Sequence, residues 1–261
     1  MHPVIALWSH PRSMSTALER VMRERGDLAC FHEPFMYDYY VARAVRVMPH
    51  FEVDPEKPKS YEAIRDRLLE AGEAGPVFFK DMSYYVVPRI FEDRAFARRL
   101  THSFLIRDPV KSILSYHKLD PDLTLEEIGL EAIWRHLDWV RELVGETPAV
   151  LCAEEVQADT AGVLNAYWRK IGLPPAPHAL SWTPEKTPDD WQQVAGWHGD
   201  VAASGGIQAM TPAQEAAEEA AQRAAFEQAA EKAPKLREFL AHHRPFYDRA
   251  RALAIAAGDP I

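Results

Sequence analysis

Two cysteines in 261 residues are too few for a disulfide framework. Cys30 and Cys152 each sit in a short apolar run and read as reduced core thiols, not as a bridge or a metal pair. Positive charge is also in deficit: 30 Lys and Arg stand against 39 Asp and Glu, a net charge of −9 with neutral histidines. That balance excludes a general nucleic-acid or anionic-membrane binder, although a local basic pocket can sit inside an acidic protein. Long apolar runs are missing too. None approaches the ~20 residues that a membrane span needs, and no basic-then-apolar leader opens the chain, so the expected location is the cytoplasm. What is present is 47% apolar and 26% charged, which rules out disorder and collagen and leaves a globular chain with a large core. One α/β domain over residues 1–261 is the expected organisation.

The first half alternates short apolar runs with helical patterns, as βα units around a parallel sheet do. Strands are expected at 4–8, 28–31, 77–79, 102–106 and 148–152. The first, Val4-Ile5-Ala6-Leu7-Trp8, has no polar interruption, as a strand buried on both faces should read. Helices are expected at 15–25 before Gly26, at 36–47, at 60–71 before Gly72 and Gly75, and at 159–171. Thr124 is the expected cap of a long helix buried along Ile128, Ala132, Leu137, Val140 and Val144. From about residue 173 the texture changes to a proline-rich stretch carrying Trp182, Trp191 and Trp197. Thr211-Pro212-Ala213-Gln214 then forms a capping box. It opens an Ala/Glu/Gln-rich helix expected to lie solvated on the surface, which Pro234 breaks before a last helix at 236–256. The expected fold is a three-layer α/β sandwich on a five-stranded, mainly parallel sheet, with a helical C-terminal part.

Between the first strand and its helix lies Ser9-His10-Pro11-Arg12-Ser13-Met14-Ser15-Thr16. Strand, polar loop and helix N-terminus are the layout of a phosphate-binding loop, where backbone N–H groups converge and hydroxyls and a cation add bonds to an oxyanion. The loop has no Gly-Lys pair and no glycine at all, so it is not the nucleotide-triphosphatase loop. A plain Ser/Thr-rich N-cap with Arg12 on the surface explains it equally well on its own. A second segment adds weight. Phe104-Leu105-Ile106-Arg107-Asp108-Pro109 leaves the fourth strand, with Asp108 as N-cap and Pro109 at the first helical position. Arg107 then stands at the carboxyl end of a parallel strand, where α/β sheets bind ligands, and Ser115 lies about two turns along the helix.

Pro11-Arg12-Ser13-x-Ser15-Thr16-x-Leu18 resembles the 5′-phosphosulfate loop of the sulfotransferase family, usually Pro-Lys/Arg-Ser-Gly-Ser/Thr-Ser/Thr-x-Leu. Arg107-Asp108-Pro109-x5-Ser115 resembles that family's 3′-phosphate motif. The resemblance covers residues up to about 155, and His32-Glu33-Pro34-Phe35 is similar to the bacterial sulfotransferase-like branch. Met14 stands where the family's loop has glycine. The adenine-side signature Arg-Lys-Gly-x-x-Gly-Asp-Trp is missing, and Gly196-Trp197-His198-Gly199-Asp200 is a faint echo of it. The resemblance implies a P-loop-type fold and 3′-phosphoadenosine 5′-phosphosulfate (PAPS) as co-substrate. It implies donor binding by Pro11, Arg12, Ser13, Met14, Ser15, Thr16, Arg107 and Ser115, and adenosine 3′,5′-bisphosphate as product. No metal is expected, because the transferred group carries little charge compared with a phosphoryl group and cations with loop N–H groups suffice.

An acceptor hydroxyl needs a base within hydrogen-bond reach. Glu33 is the first candidate, with the alternative that it caps the next helix or pairs with an arginine. His32 and Asp38 are the other candidates. Lys80 stands where the family keeps a lysine near the sulfonate, or it forms a salt bridge near Asp81. Asp81, Met82 and Ser83 occupy the place of the usual catalytic histidine. Arg12 and Lys80 complete the candidate catalytic set. Trp8 reads as core, while Glu154 and Glu155 fit either the active edge or plain surface. Phe31, Phe35, Tyr37, Tyr39, Tyr40, Tyr84 and Tyr85 read as core or pocket wall. The expected activity is sulfonate transfer to a small hydroxyl or amine acceptor. A P-loop small-molecule kinase and a non-catalytic nucleotide-binding protein of the same fold are the alternatives.

Overall fold

The computed structural model describes residues 2–258. Five strands, β1 (Val4–Ser9), β2 (Ala29–His32), β3 (Val77–Met82), β4 (Leu100–Ile106) and β5 (Ala149–Cys152), form one sheet in the order β2-β3-β1-β4-β5. Every pairing is parallel. β1 is central, and its residues are inaccessible to water along its whole apolar length. The chain leaves β1 toward β2 on one side and leaves β4 toward β5 on the other. The direction therefore reverses between β1 and β4, and a crevice opens there at the strands' carboxyl ends.

Seven longer helices cover the sheet: α1 (Ser15–Glu24), α2 (Tyr61–Ala74), α3 (Pro109–Leu119), α4 (Leu130–Val144), α5 (Thr160–Lys170), α6 (Pro212–Lys232) and α7 (Lys235–Arg251). Alternation along β1 explains the layering. Val4, Ala6 and Trp8 face a core shared with α2, α4 and α7, whereas Ile5 and Leu7 face α1 and α5. Each such side chain contributes roughly 1.5–3 kcal/mol when fully buried. Trp8 is core, as expected. Its ring meets Phe79 edge-on at 5.4 Å and its Nε1 donates to His102 Nδ1 at 2.9 Å. Both thiols are free, and burial pushes each up to about 12.

Four expected elements take a different form. Thr124 bonds Glu127 just ahead of a short 3-10 turn, Glu126–Ile128, whose N-cap is Leu125, and does not cap the long helix. Gly129 follows at φ 79°, a left-handed conformation suited to glycine, and α4 begins after it. The buried stripe of α4 is accordingly Leu130, Ile133, Leu137, Val140 and Leu143, while Val144 is exposed and Ala132 half-buried. Residues 36–47 hold only a π-helical turn, Tyr37–Ala42, because Asp38 is drawn inward to Arg43 and Arg89. Helix α6 is largely solvated, yet Phe226 and Ala230 anchor it in the core. The last helix stops at Arg251. Among the described residues, no helix is long and apolar enough to cross a membrane.

Candidate functional site

After β1 the chain turns through residues 10–14 into α1, with Arg12 at φ 62° and Met14 at φ 72°. Met14 is the N-cap residue of α1 and makes no side-chain cap bond. It sits in the left-handed region, which glycine adopts without strain and methionine only at a cost of about 1–2 kcal/mol. The first N–H groups of α1 are left without a side-chain partner, and they carry the positive end of the helix dipole. Ser13 Oγ, Arg107 Nε and His10 Nδ1 are buried nearby and have no hydrogen-bond partner. Unsatisfied buried polar atoms cost about 1–3 kcal/mol each, so this cradle fits a bound oxyanion better than it fits a purely structural loop.

The cations converge on the same crevice. Arg107 Nη1 donates to the Arg12 carbonyl at 3.1 Å, and the Arg107 backbone N–H donates to His10 Nε2 at 3.0 Å. Arg12 Nε donates to Ser115 Oγ at 2.9 Å, its Nη1 to the Trp197 carbonyl at 2.7 Å, and its Nη2 lies 3.8 Å from Asp200. Ser115 thus reaches the loop through Arg12, and it does not line the cleft itself. Lys80, at the end of β3, pairs with Glu33 and donates a long 3.5 Å bond to Thr16 Oγ1. Glu33 sits at φ 41° just beyond β2, and its N–H donates to the Lys80 carbonyl at 2.9 Å. The second Glu33 oxygen accepts the Tyr85 hydroxyl at 3.3 Å. Its partner is therefore a lysine, neither a helix terminus nor an arginine.

Other sequence candidates fall outside this geometry. Asp38 is buried between Arg43 (2.9 Å) and Arg89 (2.8 Å) and accepts the Tyr61 N–H, so it latches loops and does not line the cleft. His32 is fully engaged, with Nδ1 2.6 Å from Glu19 and Nε2 3.1 Å from His198. Burial lowers it to about 3, which makes it a poor base. Asp81 accepts the N–H groups of Phe35 (2.7 Å) and Met82 (2.9 Å), tying β3 to the turn after β2. Glu154 accepts the Asp108 N–H and the Cys152 thiol, and Glu155 pairs with Arg251. Among the described residues, no cluster of three or more His, Cys, Asp or Glu stands ready for a metal ion.

The crevice opens into a solvent-connected cleft with about 870 Å³ of empty space. It is lined by the loop from Pro11 to Thr16 with Lys80 and Arg107, and by aromatic side chains, among them Tyr40, Tyr84, Tyr85, Tyr116 and Trp197. Cations beside aromatic side chains in one cleft suit a charged donor meeting a less polar acceptor.

The sulfotransferase domain family matches residues 3–233. The chain belongs to that family. The sulfotransferase domain from the curacin biosynthetic pathway is similar in fold, at 12% identity and a TM-score of 0.50, over 90% of this chain and 98% of that one. Two curated relatives from Arabidopsis thaliana, branched-chain-amino-acid aminotransferase-like proteins 2 and 1, are 25% identical over 213 residues and 27% identical over 214. Each match covers 79% of this chain but only 36% and 37% of those proteins, so the chain spans little more than a third of their length.

The cleft of this family member includes residues that carried no usable motif. Trp197, His198 and Asp200 line it, although their segment reads only as a faint echo of a family signature. Glu19, inside α1, is wholly buried and receives Arg23, Trp191 and His32, and nothing in its local pattern marks it.

Buried imidazoles also set how stability responds to acid. Burial lowers His10 and His32 to about 3, helped by cationic neighbours, and lowers His102 and His243 to about 4. Between those values and 6.5 the unfolded chain binds protons that the folded chain refuses. Stability therefore rises with pH across that window and is lost as pH falls, by up to about 1.4 kcal/mol per pH unit for each histidine. Asp81, raised by its burial and by Glu33, works in the opposite sense. Thermal unfolding at pH 7 and pH 5 should give a clearly lower Tm at pH 5, and an equal or higher value would refute the neutral imidazoles.

Proposed function

We propose that this sulfotransferase moves a sulfonate group from PAPS to a small hydroxyl or amine acceptor and releases adenosine 3′,5′-bisphosphate. The observation that carries the reading is the junction of two arginine loops at the β1/β4 crevice, where Ser13 Oγ and Arg107 Nε are buried without partners beside an uncapped helix N-terminus. Those free donors fit an anion with two separated phosphate positions. Residues 11–16 and Lys80 would hold the 5′-phosphosulfate, and Arg107 would hold the 3′-phosphate, with Ser115 contributing only by fixing Arg12. Bound PAPS supplies the activated sulfonate. Glu33 takes the acceptor's proton, since its carboxylate lines the cleft. Lys80 holds the cationic charge that offsets developing negative charge on the oxygen leaving with the nucleotide. The Tyr40, Tyr84 and Tyr116 wall excludes water from the acceptor. The same reading keeps the chain free of nucleic-acid and membrane partners, consistent with its net charge of −9.

Thermal shift with adenosine 3′,5′-bisphosphate, ADP and ATP tests donor recognition. A ligand at a hundredfold excess over its Kd stabilises by about 2.7 kcal/mol, so several degrees are expected for the bisphosphate and little for the others. A larger shift with ATP would favour a kinase. A bisphosphate shift without transfer of labelled sulfate to any acceptor would leave a binding module.

A further inference from the structure

A buried chain of polar contacts runs from Glu19 to the cleft. Glu19 Oε1 accepts Arg23 Nε at 2.7 Å and Trp191 Nε1 at 2.9 Å, while Oε2 faces His32 Nδ1 at 2.6 Å. A carboxylate held by an arginine has only lone pairs to offer, so His32 Nδ1 carries the proton. A neutral imidazole has one N–H, which leaves His32 Nε2 as an acceptor. His198 Nε2, 3.1 Å away, must then be the donor. That leaves a lone pair on His198 Nδ1, and the facing Thr16 hydroxyl at 3.3 Å donates to it. With its one proton committed there, the Thr16 oxygen presents lone pairs to the Lys80 ammonium. Both imidazoles are kept neutral by burial.

We infer that His198 is a positioning residue for sulfonate transfer: Glu19, acting through His32, sets the His198 tautomer, and His198 directs the Thr16 hydroxyl so that its oxygen holds the Lys80 ammonium at the cleft. The inference rests on the transfer reading given above for the site. Two observations separate this chain from ordinary core packing. It ends on Thr16 and Lys80, which line the cleft together with His198. Both its rings are also bonded to other side chains at both nitrogens, whereas His102 and His243, equally satisfied, each spend one or both nitrogens on the backbone. Donor and acceptor therefore alternate without a break over four links, and a single tautomer pair satisfies all of them.

Nitrogen-15 NMR of the imidazoles is the direct test, because it reads the tautomer of each ring. The expected spectrum has His32 protonated on Nδ1 and His198 on Nε2; the reverse pair, or an imidazolium at either ring, overturns the inference. Kinetics give the second readout. His198→Gln withdraws the acceptor from Thr16 and frees its proton for the cleft. Its kcat should fall by roughly 10- to 100-fold, the size of a small misplacement of a catalytic group, while affinity for adenosine 3′,5′-bisphosphate is kept or tightened. His198→Asn places an amide oxygen where Nδ1 was, and should retain severalfold more turnover than His198→Gln. Parallel losses of kcat and affinity, or equal turnover in the two variants, would show that His198 only packs the cleft wall. A native chain that transfers no sulfate overturns the donor reading instead, and the tautomer pair would still be read in its spectrum.

Discussion

Glu33→Gln is expected to slow sulfate transfer from labelled PAPS by about 10²–10⁴-fold, with adenosine 3′,5′-bisphosphate affinity near that of the native chain. The substitution keeps the shape and the contacts to Lys80 and Tyr85 but removes the carboxylate that, among the described residues, lines the cleft beside Lys80. An amide cannot take the acceptor's proton. Donor binding rests on other groups, so the loss should appear in kcat. Because the ion pair is buried, removing one partner also costs stability, on the order of 3–5 kcal/mol if the other charge is left uncompensated. Unfolding curves must therefore accompany the kinetics. Lys80→Ala should reduce transfer as well, since a cation at the leaving oxygen acts mainly in the transition state. Unchanged transfer in Glu33→Gln would move the base elsewhere. His32, with both nitrogens bonded, and Asp38, held outside the cleft by two arginines, could not replace it. Asp200, which lines the cleft with an almost fully exposed side chain, would be the residue to test next.

Arg107→Ala is expected to weaken adenosine 3′,5′-bisphosphate by about tenfold to a hundredfold or more and to leave ADP nearly unchanged. A hydrogen bond to an ionised group contributes ~1.5–3 kcal/mol, and Arg107 has a buried, unpartnered Nε to offer the 3′-phosphate that ADP lacks. The structure adds a competing effect. Arg107 Nη1 also holds the Arg12 carbonyl, so its removal loosens the loop that would grip the 5′ side. The two roles separate in calorimetry: loss confined to the bisphosphate marks phosphate recognition, and equal loss for both nucleotides marks a role only in holding the loop.

Local signals carried far along this chain. The unbroken run of β1, the glycine stop after α1, the loop from Pro11 to Thr16 and the Asp108-Pro109 start of α3 are each written within a few consecutive residues. Strands, turns and caps depend on such neighbours. The five strands and the joint placement of Arg12 and Arg107 were legible for that reason. Thr124 shows how close a local reading can come and still miss. It bonds Glu127 beside a turn, but that turn ends at Gly129, at φ 79° and so close to His10 that an added Cβ would meet His10 Cβ at 3.0 Å.

The polar wiring of the cleft was decided only in three dimensions. Glu33 could be read as a base but not as the partner of Lys80, since that contact joins the ends of β2 and β3, 47 positions apart. The Trp197 carbonyl meets Arg12 across 185 positions, and His198 meets His32 across 166. Burial then chose the protonation states. Composition and motif determined a five-stranded α/β fold with Arg12 and Arg107 at one crevice, because buried strands and strand-to-helix loops are local patterns. Which carboxylate, which imidazole and which hydroxyl face one another was left to tertiary packing, because in a buried site every donor must find an acceptor and only the folded chain brings those distant partners within reach.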